Sequence, residues 1–347
     1  MTQTMRAQRL YAETRTVTVE DVPIPTPGEG EVLVKIAYCG ICHSDISQID
    51  GTFTPKLPIL TLGHEASGYI AEVGPDVTGW AVGDPVIIAA GRPCTTCRNC
   101  LRGQITACQN LRLMASAYDG GWAEYAVAEA RGLTRVPDNV PMEQAAILAD
   151  AVSTPYGAVV RTGKVSIGES VGVWGAGGVG THIIQLSKLV GAVPILAFDI
   201  EPKVRERALD LGADYAFDPT ADDLVERVAE ATNGRMLDVA FDAVGTSSTF
   251  DQALASVDAG GRVVLVGMTG QELSLGPSTA MARSSKQVLG HLGYHPSDIG
   301  VLAALVSHGR LDLSRSISEI ISLENVADGI TKLQTREGNP IRILVKP

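Results

Sequence analysis

Four of the six cysteines in this chain, Cys94, Cys97, Cys100 and Cys108, form C-x-x-C-x-x-C-x7-C. Four thiolates this close can wrap one tetrahedral zinc ion and leave no coordination position open, which makes such a site structural rather than catalytic. An iron–sulfur cluster is a rival user of four cysteines, although its usual spacings differ. Unligated thiols in a loop are the remaining reading, and they would be an oxidation hazard. A structural zinc contributes on the order of 10 kcal/mol to local folding, so losing one ligand should unfold the lobe.

A second group lies upstream, in Cys39-Gly40-Ile41-Cys42-His43-Ser44-Asp45, followed by Gly63-His64-Glu65, Gly68 and Val73-Gly74. Taken literally, C-x-x-C-H is a c-type haem attachment signal, and C-x-x-C can be a redox pair. Haem attachment of this type expects an exported protein. The stretch Met1 to Leu10 carries Arg6 and Arg9 but no apolar core of a signal peptide.

A third constellation is Gly175, Gly177 and Gly180, a G-x-G-x-x-G that carries weight only through its surroundings. The glycines follow the apolar run Val171 to Trp174 and open a stretch in which Val179, Ile183, Leu186 and Val190 recur at helical spacing. Backbone amides at such a helix start, with Gly178 and Val179 among the contacts, can face a dinucleotide pyrophosphate. The next strand, Ile195 to Asp199, ends in an acid. A carboxylate there binds the adenosine ribose hydroxyls and repels a 2′-phosphate, which selects NAD over NADP. Lys203 and Arg205 stand close enough to blunt that repulsion, and Lys203 is counted among the cofactor contacts. The plainer alternative is a structural glycine turn beside an exposed acid.

These groups need a scaffold. From about residue 5 to 150 the chain is dense in Gly and Pro with short apolar runs such as Val32 to Ala37 and Val86 to Ala90, a strand-and-turn pattern. From Glu169 to about Gly267 apolar strands alternate with amphipathic helices, including Pro202 to Leu211, Leu237 to Asp242 and Arg262 to Gly267, which predicts a doubly wound parallel sheet of five or six strands. A helix over Gly300 to His308 and a strand over Ile341 to Val345 complete the tail. At 347 residues and 45% apolar composition the chain is long enough for two domains. A net charge of -11 gives it no electrostatic footprint for nucleic acid or an anionic membrane. No apolar run approaches bilayer-spanning length, so a cytoplasmic protein with reduced cysteines is expected.

With these motifs in order from Cys42 to Arg342, the chain resembles the zinc-containing medium-chain alcohol dehydrogenases over nearly its whole length. The resemblance implies an α/β architecture: a β-rich GroES-like catalytic domain over 1–153 with the structural-zinc lobe at 94–108, a Rossmann NAD-binding domain over 154–288, and a return to the catalytic domain over 289–347. It implies two zinc ions per subunit. The catalytic ion falls to Cys42, His64 and Asp150, as in the subgroup with an aspartate in place of the more common cysteine. If Asp150 is instead a solvent-facing acid near a hinge, Glu65 is the substitute ligand. Ser44 matches the proton-relay hydroxyl, or else is a surface serine, and Asp45 matches the acid that orients the zinc-bound histidine. His43 and Arg342 correspond to positions that meet the cofactor pyrophosphate, and Thr154 to one that touches nicotinamide. Where several relatives end the relay at a histidine, this chain has Ser47. Cys39 fits neither metal set and reads as a small buried hydrophobe. His182, His291, His295 and His308 match no motif and read as structural or surface residues.

Such a site is expected to move a hydride reversibly between NAD and an alcohol, ketone or aldehyde. Relatives often place an aromatic wall four residues before the first lobe cysteine; here that residue is Ala90, with Phe53 as candidate for the opposite wall. A pocket for secondary, cyclic or aryl-bearing substrates follows. The competing readings are a C=C reductase on the same fold, a dehydrogenase of a CoA-linked or natural-product alcohol, and a non-catalytic NAD-binding protein. The short run from Cys108 to Trp122 resembles tetrameric members, with a dimer as the alternative.

Overall fold

A computed structural model describes residues 3–347, which divide into two compact units. One unit takes in the chain up to Ser153 together with Gly293–Pro347, and the other is Thr154–Leu292. The second boundary thus falls after Leu292 rather than after residue 288.

The first unit is built on a seven-stranded sheet. Its path runs Leu133–Arg135, Pro85–Ile88, Glu65–Val73, Glu31–Ile41, Arg342–Lys346 and Ile317–Ser322, with Tyr125–Glu129 also paired to Glu31–Ile41. The long strand Glu31–Ile41 has Val32, Val34, Ile36, Cys39 and Ile41 buried, as expected of a central strand covered on both sides. Two of its neighbours matter for chemistry. Glu65–Val73 runs antiparallel to it with Gly40 opposite Glu65, and Arg342–Lys346 runs antiparallel with Ile343 opposite Ile41. Continued by one residue, the second register sets Arg342 opposite Cys42. Three strands from distant parts of the sequence therefore end together.

The second unit holds a six-stranded, wholly parallel sheet in the order Tyr215–Phe217, Ile195–Phe198, Val171–Trp174, Leu237–Asp242, Val257–Leu265, Gln287–Gly290. Numbered along the chain this is 3-2-1-4-5-6, the Rossmann order, whose topological switch lies beside the first strand. Helices fill the crossovers. Gly178–Val190 stops at Gly191, whose φ of +88° ends the helix in a left-handed cap, and Pro202–Leu211 starts on a proline that presets the first turn. Trp174 and Phe198 stack in the core at 4.0 Å between ring centroids, an arrangement worth about 1 kcal/mol beyond area burial.

Two expected elements differ in extent. The strand expected over Arg262 to Gly267 begins at Val257, after an irregularity in its pairing with Leu237–Asp242. The late helix begins at Pro296 rather than Gly300, because the side chain of Asp298 receives the amide of His295 at 2.9 Å and caps the turn. Among the described residues no helix is long and apolar enough to cross a membrane.

Candidate active site and metal centres

The lobe cysteines sit between the paired two-residue strands Gly91–Arg92 and Arg112–Leu113. All four thiols are free, and their sulfurs gather within 4.8 Å of one another. Cys108 Sγ lies 3.5 Å from Cys94 Sγ and 3.9 Å from Cys97 Sγ. Tetrahedral zinc with bonds of about 2.3 Å requires sulfur separations of about 3.8 Å, so the spacing fits an ion. The amides of Cys94 and Asn110 point at Cys108 Sγ, and that of Cys97 at Cys94 Sγ, at 3.3–3.4 Å. The amides of Thr96 and Cys97 pull the Cys94 thiol down to about 5, whereas burial pushes the Cys100 thiol up to about 12, so the four sulfurs share their charge unevenly.

The second cluster joins Cys42, His64, Glu65 and Asp150. Cys42 ends the central strand and precedes the helix His43–Ile49, while His64 precedes the strand Glu65–Val73. Asp150 comes from the π-helical turn Leu148–Val152, a geometry that recurs at functional sites because it re-aims a side chain. Asp150 Oδ2 lies 3.2 Å from His64 Nε2 and 3.9 Å from Cys42 Sγ. A tetrahedral ion would ask for about 3.3 Å and 3.5 Å. The donor chemistry also fits, since a thiolate and a carboxylate together neutralise a divalent ion. Glu65 is fully buried, yet neither carboxylate oxygen is hydrogen-bonded, and Arg342 Nη2 stands 3.3 Å away. Burial raises the Glu65 carboxyl to about 7 against the pull of Arg342.

Around this set, Asp45 Oδ1 is 3.3 Å from His64 Nδ1 and accepts the amide of Gly63. Its other oxygen accepts the amide of Cys42 at 3.0 Å. Burial alone would lower the imidazole, but the carboxylates of Asp45 and Asp150 outweigh it and hold His64 well above its ordinary range. Ser44 Oγ lies 3.4 Å from His64 Nε2. The close packing has a backbone cause, because any side chain at Gly40 would collide with the carboxylate of Glu65. Ala90 is buried at the edge of the same sheet, and Phe53 is half-buried with its amide on the carbonyl of Ser47 at 2.8 Å.

In the second unit the glycine turn meets the demands of a pyrophosphate cradle. Gly175 has φ +82°, and a side chain at Gly180 would strike the carbonyl of Gly175, whereas one at Gly177 would point into open space. The helix Gly178–Val190 has no side chain capping its first amides. Asp199 Oδ2 accepts the amide of Ala176 at 3.0 Å, which ties the acid to the turn. Arg205 Nη1 is committed to the carbonyls of Asp199 and Ile200 and to Asp218. In the first unit, Arg342 is buried, with Nη2 ion-paired to Glu65 at 3.3 Å and Nε without a hydrogen-bond acceptor. His43 is exposed at its surface, and partial desolvation of its ring together with the cations Arg342 and Arg336 lowers it.

Residues 28–138 match the alcohol dehydrogenase GroES-like domain, and residues 178–308 match the zinc-binding dehydrogenase family. An alcohol dehydrogenase of Geobacillus stearothermophilus is 34% identical, with 89% of this chain and 90% of that protein aligned. The chain belongs to the zinc-dependent medium-chain dehydrogenases. An L-threonine 3-dehydrogenase of Pyrococcus abyssi is 33% identical over 86% of each chain, so this dehydrogenase is similar to relatives named for different substrates. A zinc-binding dehydrogenase of Sinorhizobium meliloti, solved with NADP bound, superposes with a TM-score of 0.90 at 30% identity, covering 99% of this chain and 100% of that one.

Motif reading of this medium-chain dehydrogenase overlooked His291. Its Nε2 meets the carbonyl of Thr154 and its Nδ1 the hydroxyl of Thr162, both at 2.9 Å, so it braces the residue expected at the nicotinamide. No spacing rule links residues 154 and 291. Cys39 is fully buried, and burial raises its thiol, as a packing role requires. His182 is buried with Nδ1 at the carbonyl of Gly178, and His308 caps its own helix through Ala304.

Proposed function

We propose that the chain is an NAD-dependent alcohol dehydrogenase with one catalytic and one structural zinc, acting on secondary, cyclic or aryl-bearing alcohols and the matching carbonyl compounds. The observation that carries this reading is the set Cys42, His64 and Asp150, whose ligand atoms gather within 4.8 Å, with Asp150 Oδ2 3.2 Å from His64 Nε2 and 3.9 Å from Cys42 Sγ. Three protein donors leave a fourth position for a substrate oxygen, the hallmark of a catalytic rather than a structural site. When bound, zinc supplies the Lewis acidity that acidifies an alcohol and the nicotinamide supplies the hydride acceptor.

The chain's own residues do the rest. Asp45 accepts a hydrogen bond from the Nδ1–H of His64 and so would leave the Nε2 lone pair free for the ion. Ser44, beside His64 Nε2, receives the alcohol proton and passes it outward. Ser47 offers no base beyond it, so the exit runs through water. In the second unit, Gly175, Gly177, Gly178, Val179 and Gly180 would hold a cofactor pyrophosphate, and Thr154, braced by His291, would meet the nicotinamide. In the first unit, His43 and Arg342 are the positions that the family resemblance gives for positive charge toward the cofactor.

NAD rather than NADP is supported by Asp199 and by Arg205, whose Nη1 is already spent on three acceptors. We take Ala90 and Phe53 as walls of the substrate site and the assembly as a homotetramer. The test is zinc analysis joined to a screen of NAD and NADP reduction over primary, secondary and cyclic alcohols. Turnover of secondary alcohols with NAD supports the reading, and enone reduction without alcohol turnover overturns it.

A further inference from the structure

Tyr294 has no part in the chemistry described so far. It opens the segment that returns to the first unit, and the phenol oxygen of this half-buried residue accepts the N–H of Ala90 at 3.0 Å. The Ala90 carbonyl accepts in turn from Tyr118 Oη at 3.0 Å and from the amide of Met114 at 2.9 Å. Tyr118 is fixed by the guanidinium of Arg92, 3.7 Å above its ring, and Arg92 by Glu31 at 2.8 Å. The backbone of Ala90 is therefore held between two phenols, and an aromatic ring stands beside the position where sequence alone suggests an open wall.

The sheet register locates this ring relative to the chemistry. Ala66 pairs with Ile88 and Ser67 with Ile87. Continued by two residues, that register sets Ala90 across from His64, whose Nε2 faces Asp150 and Ser44. Burial, with help from the Asp150 carboxylate, raises the Tyr294 phenol, so it stays protonated. A tyrosine hydroxyl has one proton to give besides the lone pairs that accept. Here a lone pair is taken by Ala90, and among the described residues no acceptor is set against the proton. The hydroxyl proton of this half-buried tyrosine is therefore left for a ligand's lone pair.

Building on the alcohol dehydrogenase reading, we propose that Tyr294 is a specificity residue whose O–H donates to a second substrate oxygen on the carbon next to the carbinol. Vicinal diols and their α-hydroxy ketone counterparts are then the preferred pair. An oxygen one carbon away is the nearest that leaves the carbinol oxygen for the position facing Cys42, His64 and Asp150. The acceptor needs only a lone pair, so an ether oxygen serves as well as a hydroxyl.

The experiment compares kcat/KM with NAD for cyclohexanol, its vicinal diol, the monomethyl ether of that diol, and the analogue with a methyl group in place of methoxy. The wild type should favour the diol and the ether over the methyl analogue by tenfold or more. In Tyr294→Phe that ratio should collapse towards one, chiefly through KM, whatever loss the four substrates share. Equal losses for all four would reduce Tyr294 to a support for Ala90 and overturn the proposal. Should the variant fold poorly, the ether-to-methyl ratio in the wild type decides alone, and a ratio near one overturns it. Wild-type turnover of cyclohexanol with no preference for the diol sinks only this inference, whereas no turnover of any of the four sinks the alcohol dehydrogenase reading too.

Discussion

Asp45 Oδ1 lies 3.3 Å from His64 Nδ1, while Asp45 itself is fully buried and pinned by the amides of Cys42 and Gly63. One carboxylate thus fixes the imidazole of one candidate ligand and the backbone of another. Replacing it by asparagine keeps the shape but loses the charge that favours the Nδ1–H tautomer. Asp45→Asn should bind its second zinc ten- to a hundredfold more weakly, the usual effect of removing such a partner. Titration with a chelator of known affinity measures this, and an unchanged affinity would remove Asp45 from the ligand-orienting role.

Ser44 makes a separable prediction. If its hydroxyl carries the proton, as proposed, and does not hold the ion, Ser44→Ala should keep both zincs and lose about a hundredfold or more in kcat, the scale of proton-transfer catalysis. Metal content and kcat measured on the same preparation check it. A variant with full activity would return Ser44 to the surface-serine reading.

In the lobe, Cys97→Ser should lose one zinc and unfold the segment 94–108 locally, because structural zinc and folding are one equilibrium. Hydrogen exchange should rise in that segment first, with the second zinc retained. Protection equal to wild type would argue that the thiols need no ion.

Asp199→Asn tests the cofactor reading. The amide keeps an acceptor for the Ala176 N–H but no longer repels a 2′-phosphate, so the NADP-to-NAD ratio of kcat/KM should rise about tenfold. Most of the change should fall in the KM values. A ratio that stays put would mean that Asp199 only supports the glycine turn.

How far these residues could be read in advance depends on the distance along the chain over which they act. The turn at Gly175, the strand Val171–Trp174 and the helix Pro202–Leu211 follow local rules of periodicity and backbone freedom, and the structure has them at the expected positions. The tight cysteine spacing of the lobe is local in the same sense. By contrast, Asp150 meets His64 only because a π-helical turn delivers it to a strand edge, and the Glu65–Arg342 pair exists only through the register of the returning strand. Family motifs pointed to those positions; composition and spacing could not. Tyr294 and His291 carry no motif at all, and both become visible only when the return of the chain brings them against Ala90 and Thr154.

The central claim is a metal position built by Cys42, His64 and Asp150 beside a separate, closed cysteine site. Zinc per subunit, measured on purified wild type and on Asp150→Ala alongside NAD reduction with cyclohexanol, tests it most directly. The account predicts two ions and turnover for the wild type, and one ion, held in the lobe, without turnover for the variant. A single ion in the wild type, or two ions and full activity in Asp150→Ala, would contradict it.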